Sequence, residues 1–572
     1  MEKLWELSGD VVTETVNTLQ EGLQVHPAIA RILALRGLDT VEKAMTFFNP
    51  ELQNLHDPLL MQGMEEAAER VARALRNKEH ICIYGDYDVD GITSVSLLYL
   101  FFREIGGIVS YYIPNRQNEG YGISVSGIQS VIDNGTQLIV TVDCGITSVE
   151  EVSWARERGV DMIISDHHQP GDVIPYAYAL INPKLLGNTY PFTDLAGVGV
   201  AYKLAQEVCR KMDLDPHYLE RFLDLVAVGT AADIVPLVDE NRVFVRHGLA
   251  TINSNPLVGI RALIETANLR FNKIGVGQII YGLAPRINAA GRLGSAGGAV
   301  ELLITSNLQK ALHLAAELEK DNRTRKQIDS NTLDEAIDQV EEYFDPLIHN
   351  SIVIAREQWH SGVIGIVASR LIEKYYRPTV MITIEDGVGK GSARSIPGFD
   401  LYEAMRECED LLLQFGGHTY AAGLTIKAEK IDEFRQRFDE VATKRLGETD
   451  LHPKLDIDAE LNLADIDDDF FNSLSKFEPF GPRNPQPVFV TYNVAMADYP
   501  RIVGANHLKC TVKQNNHFYD CIGFNIGDRM NRVDPLRPVN HIVYTLDENE
   551  WMGTTNIQLR IRDIKSGDIN GE

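Results

Sequence analysis

The sequence predicts an α/β protein of several domains, and three patterns along the chain carry that prediction. Short apolar runs alternate with segments of helical period from about residue 80 to 235, as in a parallel sheet with crossover helices. A charged segment at 306–344 contains no proline or glycine and has the dense i,i+4 charge pairs of one long helix. From about residue 455 onward, apolar and polar residues alternate in short segments, as in a small antiparallel barrel.

The first two predicted regions are a helical preface and the parallel-sheet domain. Residues 1–75 are expected to form the helical preface, and residues 76–305 the domain that contains the sheet. We place its strands at HICIYG, GIVSYYI, TQLIVTV, DMIIS and YALIN. Several of these runs are apolar at successive positions, which is typical of strands covered on both faces.

The remaining regions follow the long helix. A continuous helix over 306–344 would be more than about 50 Å long at 1.5 Å per residue, enough to connect two domains. Residues 345–450 predict a second α/β domain, with SIVIARE and PTVMITIE as strands on either side of a helix at HSGVIGIVASRLIEKYY. Residues 455–572 predict an antiparallel barrel or sandwich, of which the OB-fold is one member.

Length and composition fit an ordinary globular protein. A chain of 572 residues, 44% hydrophobic and 24% charged, predicts three or four domains at about 150 residues per domain. No apolar run approaches the roughly 20 residues that span a bilayer. The N-terminus, MEKLWELSGD, carries acids where a secretory signal has basic residues. We therefore expect a cytoplasmic protein without a membrane segment.

Net charge and cysteine usage exclude few classes of function. The six scattered cysteines form no CxxC pair, so we expect reduced, mostly buried thiols and neither a disulfide framework nor a zinc knuckle. The net charge is −27. Because the Debye length is only about 8 Å at physiological salt, a local basic groove can still bind a polyanion.

An acidic cluster follows the first predicted strand. The stretch YGDYDVDG, residues 84–91, places Asp86, Asp88 and Asp90 at alternate positions after a buried run. At an effective dielectric of about 20, two carboxylates about 4 Å apart repel each other by about 4 kcal/mol. A DxDxD stretch alone is more often a solvated loop or a calcium site, so this cluster needs support from elsewhere in the chain.

Other predicted strands end in residues of the same kind. TQLIVTVDCG ends in Asp143, DMIISDHH in Asp166, His167 and His168, and AVGTAADIVPL contains Asp233. The carboxyl ends of parallel strands converge on one crevice, so these side chains are expected to meet there. Cys144 is expected to pack in the core.

Carboxylates and imidazoles without thiolates suit manganese or magnesium better than structural zinc, although ligand type does not exclude iron, cobalt or zinc. Because the ligands exceed one coordination sphere, we expect two divalent ions, roughly 3.5–4 Å apart and sharing a bridging carboxylate. Such ions promote phosphodiester hydrolysis by lowering the pKa of water and neutralising phosphoryl charge.

These motifs also carry a family resemblance. YGDYDVDG, TVDCGI, SDHH and GTAADIVPL resemble the four signature motifs of the DHH phosphoesterase superfamily. With NRQNEGYGIS, LAGVGVAYK, LAPRINAAGRLG, WHSGVIGIVASRL and GGHTYAAG, the chain resembles RecJ-type single-strand-specific exonucleases over essentially its full length. The resemblance implies a DHH catalytic domain at 76–305, a DHHA1 domain at 345–450 and an OB-fold at 455–572.

The resemblance also implies roles for the acidic and histidine residues. Asp88, Asp90, Asp143, His167 and Asp233 would ligate the two ions, manganese preferred or magnesium, with Asp143 bridging them. Asp86 and His168 would be further ligands, or supporting and acid/base groups in catalysis. Asp166 is expected to support the histidines rather than to bind metal.

Several residues are candidates for phosphate contacts. Arg286 and Arg292 lie among small residues in PRINAAGRLGSAGG, where a guanidinium can bind phosphate oxygens without steric hindrance. Arg116, in PNRQNEGYG, is expected on a loop at the carboxyl edge of the sheet and, with Arg286, is a candidate for reading a terminal phosphate. The alternative for Arg116 is a surface ion pair.

The second α/β domain offers further phosphate ligands. GKGSARS places Lys390, Ser392, Arg394 and Ser395 on what we expect to be a glycine-containing loop after a strand. GGHTYAAG offers His418 beside glycines that permit close backbone approach. Each motif alone is more often a plain turn. The resemblance implies that both belong to the domain that grips the nucleic-acid backbone.

The predicted barrel contains one departure from the family. FEPFGPRNPQPVF has Arg483 near a position where the family usually shows glycine, which is typical of a turn with positive φ. The arginine either alters this turn or adds a phosphate contact. Tyr492, Phe518 and Tyr519 are candidates for base stacking, with core packing as the alternative for each.

The resemblance implies a metal-dependent 5′→3′ exonuclease that converts single-stranded DNA to 5′-mononucleotides in recombination and repair. Alternatives are a DHH phosphodiesterase for short RNA or cyclic dinucleotides, and a non-catalytic DNA-binding scaffold. By family analogy, partners besides single-stranded DNA would be a single-strand-binding protein and a RecQ-like helicase. We expect a monomer.

Overall fold

The structure is a computed structural model that describes residues 2–115, 119, 122–293, 296–447, 451–535, 537, 539–551 and 553–567. These residues form two compact units. The larger unit contains Leu7–Glu319 and the residues from Ile457 onward. The smaller unit contains Lys320–Asp456 and the N-terminal residues up to Glu6.

The N-terminal region is mainly helical, in line with the helical preface expected there. Its elements are strand β1 (Leu4–Leu7) and helices α1 (Thr13–Leu23), α2 (Pro27–Leu35), α3 (Val41–Phe48) and α4 (Met64–Asn77). Thr40 caps α3 by accepting a hydrogen bond from the Lys43 amide.

A five-stranded parallel sheet forms the centre of the larger unit. Its strands are β2 (His80–Gly85), β3 (Ile108–Tyr112), β4 (Leu138–Val142), β5 (Asp161–Ser165) and β6 (Ala179–Ile181). They lie in the order β3-β2-β4-β5-β6, and every neighbouring pair is parallel. All five strands predicted from the apolar runs are present.

Both faces of this sheet are covered. Ile81, Ile83 and Val140 pack into one buried core, whereas Cys82 and Ile139 pack into another. Alternate residues of one strand therefore meet different cores, which is why the strands read as nearly continuous apolar runs.

Helices surround the sheet and complete the larger unit's central domain. They are α5 (Val89–Glu104), α6 (Val125–Asp133), α7 (Val149–Glu157), α8 (Gly197–Lys211), α9 (Leu223–Ala232), α10 (Asp239–Ser254), α11 (Val258–Thr266), α12 (Val276–Gln278), α13 (Ala284–Leu293) and α14 (Gly297–Ile304). The long charged segment forms the single helix α15 (Leu308–Tyr343), 36 residues in length. The division between the two units falls within this helix.

The smaller unit contains the second α/β domain. Its elements are β7 (Ile352–Glu357), α16 (Ser361–Tyr375), β8 (Thr379–Glu385), β9 (Val388–Arg394), α17 (Leu401–Arg406), β10 (Leu412–His418), β11 (Ala421–Lys427) and α18 (Ile431–Arg445). The strand order is β10-β11-β9-β8-β7, with β7 and β8 parallel and the other pairs antiparallel.

The C-terminal domain is rich in strands, as its alternating pattern predicts. Its elements are β12 (Lys454–Ile457), β13 (Ala459–Glu460), α19 (Asp468–Ser475), β14 (Phe489–Met496), β15 (Arg501–Val503), β16 (His507–Gln514), β17 (His517–Gly523), β18 (Asn540–Trp551) and β19 (Thr554–Ser566). Strands β13 to β19 form one seven-stranded sheet. Most pairings are antiparallel, but β13–β14 and β17–β19 are parallel.

The N-terminal helices and the C-terminal sheet share one hydrophobic core. Ile29, Leu33 and Phe48 lie in the same buried cluster as Phe489 and Tyr544. The sequence predicts a helical preface and a strand-rich C-terminal region, but it does not indicate that the two ends of the chain pack together.

Two expectations from composition can be compared with the structure. All six cysteines are free and buried, as expected for reduced thiols. Within the described residues, every helix is too short or too polar to cross a bilayer.

A buried ion pair joins two helices of the larger unit. Lys203 on α8 lies 2.5 Å from Glu240 on α10, and both side chains are fully buried. The Lys203 ammonium also donates to the carbonyl of His56 at 2.7 Å, and Tyr190 donates to the second oxygen of Glu240 at 2.5 Å. Neutralising one partner leaves the other charge buried without its counter-ion.

We expect Lys203→Met to lower the free energy of unfolding by about 3–5 kcal/mol, because Glu240 stays buried without its cation. Denaturant titration of the chain measures this change. The matched control is Lys211→Met, which removes a 3.2 Å contact to an exposed Glu65 and is expected to cost less than about 1 kcal/mol. Equal losses in the two variants would show that burial does not set the strength of the Lys203 pair.

Candidate metal centre

The register of the parallel sheet aligns the ends of its central strands. Gly85 of β2 pairs with Val142 of β4, Val142 with Ser165 of β5, and Ser165 with Ile181 of β6. The residues that follow this row are Asp86, Asp143, Asp166 and Asn182. The sheet therefore brings together the strand-end residues that the sequence analysis proposed for one crevice.

The first acidic motif forms the connection from β2 to α5. Asp86 is buried after the strand, and Asp88 caps α5 by accepting a hydrogen bond from the Gly91 amide at 3.1 Å. A Cβ at Gly91 would lie 2.5 Å from the Asp86 carbonyl oxygen. Glycine is required there because the helix begins directly against the backbone of the preceding strand.

Asp90 is held by the N-terminus of another helix. Its two carboxylate oxygens accept hydrogen bonds from the Gly197 and Val198 amides of α8, at 2.6 and 2.8 Å. The partial positive charge of a helix N-terminus stabilises a carboxylate there. These two donors were not predicted, although both lie in the LAGVGVAYK motif that carried part of the family resemblance.

Two glycines permit the close packing of this centre. A Cβ at Gly197 would lie 2.8 Å from Asp143 Oδ1. A Cβ at Gly229 on α9 would lie 2.3 Å from Thr93 Oγ1 and 3.0 Å from Asp90 Oδ1. A side chain at either position would displace a carboxylate of the centre.

Asp143 occupies a left-handed backbone conformation directly after β4. Its φ is +59°, and its amide donates to the Ser165 carbonyl at 3.0 Å. Aspartate tolerates this conformation better than most residues. Its side chain is 1% exposed, at the middle of the cluster.

Asp166 supports the two histidines by hydrogen bonds. One of its oxygens lies 2.8 Å from His168 Nδ1 and accepts from the His167 and His168 amides at 2.7 and 3.1 Å. The other oxygen accepts from the Ile146 amide at 2.9 Å. Asn182, which was not predicted, donates to the His168 carbonyl at 2.9 Å and so fixes the same segment.

The remaining predicted residues converge on His167 and Asp143. His167 Nε2 lies 3.1 Å from Asp143 Oδ1, 3.7 Å from Asp233 Oδ2 and 3.8 Å from Asp90 Oδ2. Asp233 reaches the cluster from the C-terminal end of α9. His168 Nδ1 lies 3.8 Å from Asp143 Oδ1.

Three overlapping groups of ligand atoms have metal-site spacing. Within each group the atoms lie within 4.8 Å of one another. The groups are Asp86, Asp88 and Asp143; Asp90, His167 and Asp233; and Asp143, His167 and His168. Asp143 and His167 each belong to two groups, as in a centre for two ions with a shared ligand.

Burial and mutual repulsion change the acid–base properties of the centre. Burial, followed by the charge of Asp88, raises the pKa of Asp90 to about 7. Burial, followed by the charge of Asp90, raises the pKa of Asp143 well above its usual range and that of Asp233 to about 8. Burial lowers the pKa of His167 to about 3.

The Asp166–His168 pair behaves differently. Burial is the largest influence on both groups and opposes their ionisation, but their hydrogen bond, the attraction of opposite charges and, for Asp166, backbone hydrogen bonds together outweigh it, so the pKa of Asp166 is lowered and that of His168 is raised to about 8. A carboxylate that accepts several hydrogen bonds is a stable anion even when buried.

The donor set fits divalent cations. Asp143 Oδ1 is buried and accepts no hydrogen bond from the described residues, although His167 Nε2 is 3.1 Å away. Such an oxygen is costly to bury unless a cation or a proton compensates it. Oxygen and imidazole ligands without thiolate are the type that suits manganese or magnesium.

The phosphate-binding candidates of the larger unit have different outcomes. Arg116 and the side chain of Arg292 lie outside the described residues. Arg286 is on α13, and its buried guanidinium lies 2.8 Å from Glu319 and donates to the Gly282 carbonyl at 2.5 Å. Its contact with phosphate stays a prediction, and in this structure the same guanidinium is bonded within the protein.

The GKGSARS motif forms a strand, which corrects the expected loop. Lys390, Ser392 and Arg394 lie within β9, so the period of two places all three on one face of the sheet, and Ser395 directly follows the strand. The loop prediction was wrong because the glycines were read as turn residues, whereas Gly389 and Gly391 pack against Ile382 and Leu424. The register places Arg394 opposite Ala421, which pairs with His418.

Helix α16 passes close to this face. A Cβ at Gly365 would lie 2.8 Å from Ser392 Oγ and 2.9 Å from Arg394 Nη2. Arg394 donates to Ser392 Oγ at 3.2 Å, and burial lowers its pKa. Gly365 therefore belongs to the candidate phosphate site, and the sequence signalled it only as part of the WHSGVIGIVASRL motif. In the same motif Trp359 is a core residue, 4% exposed, and His360 caps α16.

The turn containing Arg483 adopts the conformation that the family's glycine would favour. Arg483 has φ of +56°, and its guanidinium lies 3.4 Å from Asp194. Of the candidate stacking residues, Phe518 is 57% exposed, whereas the Tyr519 hydroxyl donates to the Ile466 carbonyl and Tyr492 packs on His541.

Comparison with family models agrees with this organisation. The DHH family N-terminal domain matches residues 80–230, the DHHA1 domain matches 347–444, and the RecJ OB domain matches 457–563.

Named relatives match the whole arrangement. The single-stranded-DNA-specific exonuclease RecJ of Bacillus subtilis is 40% identical over 554 residues, covering 96% of this chain and 69% of the relative. The protein of that name from Escherichia coli is 35% identical, covering 95% of this chain and 96% of the relative. The crystal structure of RecJ with Mn²⁺ from Thermus thermophilus has a TM-score of 0.84 at 29% identity, covering 99% of this chain and 80% of that one. With these matches over nearly its full length, the chain belongs to the RecJ family of single-stranded-DNA-specific exonucleases.

Proposed function

We propose that this protein is a metal-dependent 5′→3′ exonuclease that hydrolyses single-stranded DNA to 5′-mononucleotides during DNA repair and recombination. The observation that carries this proposal is the overlap of the ligand groups at Asp143 and His167. The names of the relatives support the substrate, and the match to the Mn²⁺-containing RecJ structure supports the metal.

Two divalent ions, manganese by preference or magnesium, are the proposed cofactors. Asp88, Asp90, Asp143, His167 and Asp233 are the proposed ligands, Asp86 lies close enough to contribute, and His168 is the proposed acid/base group beside them. When bound, such ions neutralise charge on a phosphoryl group and lower the pKa of water.

The protein's own groups fix the proposed ligands and hold protons. Gly197 and Val198 fix the Asp90 carboxylate by their amides. Asp166 orients the His168 ring, and the hydrogen bond between them favours the protonated imidazole. A protonated imidazole at this place can supply the proton that the departing 3′ oxygen requires.

Phosphate contacts are proposed on both units. Arg116, Arg286 and Arg292 are the candidates of the larger unit. Ser392, Arg394 and His418 are those of the smaller unit, where Gly416, Gly423 and Ala421 leave the sheet face open to a nucleic-acid backbone. Aromatic or arginine stacking in a groove that tracks one strand would favour single-stranded over duplex DNA.

The proposal extends to cellular context. A protein of this function is expected to act as a monomer in the cytoplasm, with a single-strand-binding protein and a RecQ-like helicase as partners that expose its substrate. The alternatives are a phosphodiesterase for short RNA or cyclic dinucleotides and a non-catalytic scaffold. Incubation with Mn²⁺ and end-labelled single-stranded, duplex and tailed oligonucleotides, with a dinucleotide arm, separates the three.

Asp143→Asn is expected to lower the rate of single-strand degradation by more than the roughly 10–100-fold that loss of an outer-shell partner costs, because this side chain belongs to two ligand groups. Its affinity for single-stranded DNA should stay near that of the unsubstituted protein. The control is Asp172→Asn on an exposed loop, which should leave both unchanged. Residual turnover comparable to the control would contradict the bridging role.

The affinity for Mn²⁺ is expected to rise between pH 6 and pH 8 and to level off above, because protons occupy Asp90 and Asp233 below their pKa values of about 7 and about 8. Isothermal titration calorimetry in buffers of different ionisation enthalpy measures both the affinity and the protons released.

Stability should follow the same linkage. The folded-state pKa values of Asp90 and Asp233 lie above the usual 3.8. The contribution of these two carboxyl groups to the free energy of unfolding is therefore complete below their unfolded-state pKa, and it is lost as pH rises through 7 to 8. The melting temperature gained on adding Mn²⁺ should therefore be larger at pH 8 than at pH 6. Asp233→Asn, which cannot ionise, should lose part of this difference, and a gain independent of pH would contradict the assignment.

Arg394→Ala is expected to weaken single-stranded DNA binding and to reduce the slope of log Kd against log salt by about 0.7, the value for one phosphate contact on a single strand. Fluorescence anisotropy without a divalent ion measures binding while the DNA stays intact. Arg394→Lys should keep the slope, and Arg406→Ala, which removes an exposed ion pair with Glu403, should not change it. An unchanged slope in Arg394→Ala would remove this residue from the proposed interface.

A further inference from the structure

We propose that one turn of the C-terminal domain, residues 476–485, is a positioning element of the metal centre. The turn holds the segment 233–237 in a strained conformation that keeps Asp233 among the ligand atoms. The inference rests on the proposed function in one respect, the assignment of Asp233 as a metal ligand.

The strain lies directly after the ligand. Ile234 has φ of +61° and is 62% exposed. A β-branched residue in this region is a genuine outlier, because its Cβ crowds the backbone. Such a conformation persists only where surrounding contacts determine it. Because the Ile234 side chain is mostly exposed, its own packing contributes little to fixing the backbone.

The turn supplies contacts that fix this segment three residues later. The Leu237 amide donates to the Pro482 carbonyl at 2.8 Å, and Leu237 is 1% exposed. A Cβ at Gly481 would lie 2.5 Å from Leu237 Cδ1. The turn therefore meets the segment through both a backbone hydrogen bond and close packing.

The turn is itself rigidly held. Gly481 and Asn484 exchange backbone hydrogen bonds at 2.9 and 3.0 Å, and the Asn484 amide group donates to the carbonyls of Phe477 and Pro479, each at 2.8 Å. Arg242 on α10 donates to the carbonyls of Phe477 and Lys476 at 2.7 and 2.8 Å. A turn fixed from both sides can transmit its position to Leu237.

The same turn reaches the segment that positions Asp90. Arg483 lies 3.4 Å from Asp194, three residues before the Gly197 amide that binds Asp90. Asn241, fully buried on α10, donates to the Asp194 carbonyl at 2.6 Å and to the Pro236 carbonyl at 3.0 Å. One side chain therefore links the two segments that the turn contacts. The Arg483 pair is exposed and contributes little alone, so the constraint resides mainly in Gly481, Pro482 and Asn241.

The principal test measures Mn²⁺ binding by the Gly481→Ala variant. The electron paramagnetic resonance signal of free Mn²⁺ is the readout. The added methyl displaces Leu237, so we expect affinity for one of the two ions to fall about tenfold, the scale for loss of a supporting contact around a metal site. The control is Gly277→Ala, because a Cβ at Gly277 meets nothing within 4 Å, and its binding should equal that of the unsubstituted protein.

A rescue experiment distinguishes positioning from general destabilisation. Asparagine adopts the left-handed region readily, so Ile234→Asn should relieve the strain at its source. In Gly481→Ala, the added Ile234→Asn substitution should recover most of the lost affinity without restoring the melting temperature. If Gly481→Ala does not fold, Asn241→Ala, which adds no volume, should show the same loss of Mn²⁺ affinity.

The outcomes are separable from those for the proposed function. Absence of single-strand cleavage by the unsubstituted protein would overturn the proposed function. The present inference is overturned if the folded Gly481→Ala and Asn241→Ala variants bind Mn²⁺ like the unsubstituted protein, or if Ile234→Asn rescues nothing.

Discussion

The centre depends on holding like charges together in a buried crevice. Asp90 and Asp143 are 1% exposed, and the pKa of each is raised by burial and by a neighbouring carboxylate. At an effective dielectric of about 20, repulsion between such groups reaches about 4 kcal/mol at about 4 Å. Two agents can relieve it, a proton or a divalent ion, and they compete for the same oxygens. Backbone amides at the start of α8 offset part of the repulsion at Asp90, whereas Asp143 Oδ1 has no hydrogen bond within the described part of the chain.

Several features of the larger unit hold these like charges close together. Parallel pairing aligns Gly85, Val142, Ser165 and Ile181, so that the following residues arrive at the same edge of the sheet. Glycines at 197 and 229 remove side chains that would collide with Asp143 and Asp90. Asp166, already saturated with hydrogen bonds, serves the histidines. The buried pair of Lys203 and Glu240 joins α8, which holds Asp90, to α10, which follows Asp233.

The sequence alone predicts those features of the fold and of the site that depend on local pattern and strand order. Apolar runs located all five strands of the parallel sheet, and residues after those strands predicted the acidic and histidine cluster. Features that depend on contacts between distant segments were not predictable: the amide donors of Gly197 and Val198, the bond from Asn182 to His168, and the ion pair of Arg286 with Glu319. The prediction of a loop at GKGSARS was wrong because glycine is common both in turns and at closely packed positions within a strand. Arg483 shows that an arginine can occupy a left-handed position that favours glycine.

The core shared by the first helices and the last strands has a consequence for biogenesis. Apolar residues such as Ile29, Leu33 and Phe48 find their partners in Phe489 and Tyr544, which a ribosome adds more than 400 residues later. Throughout most of translation the amphipathic N-terminal helices thus lack their native cover, whereas the parallel-sheet domain can already fold from nearby segments. Packing between segments so distant in the sequence is slow, and the apolar faces of these helices stay exposed until it is complete. A chain interrupted before its terminal sheet would therefore carry a complete set of acidic ligands on a body whose two ends have not yet joined.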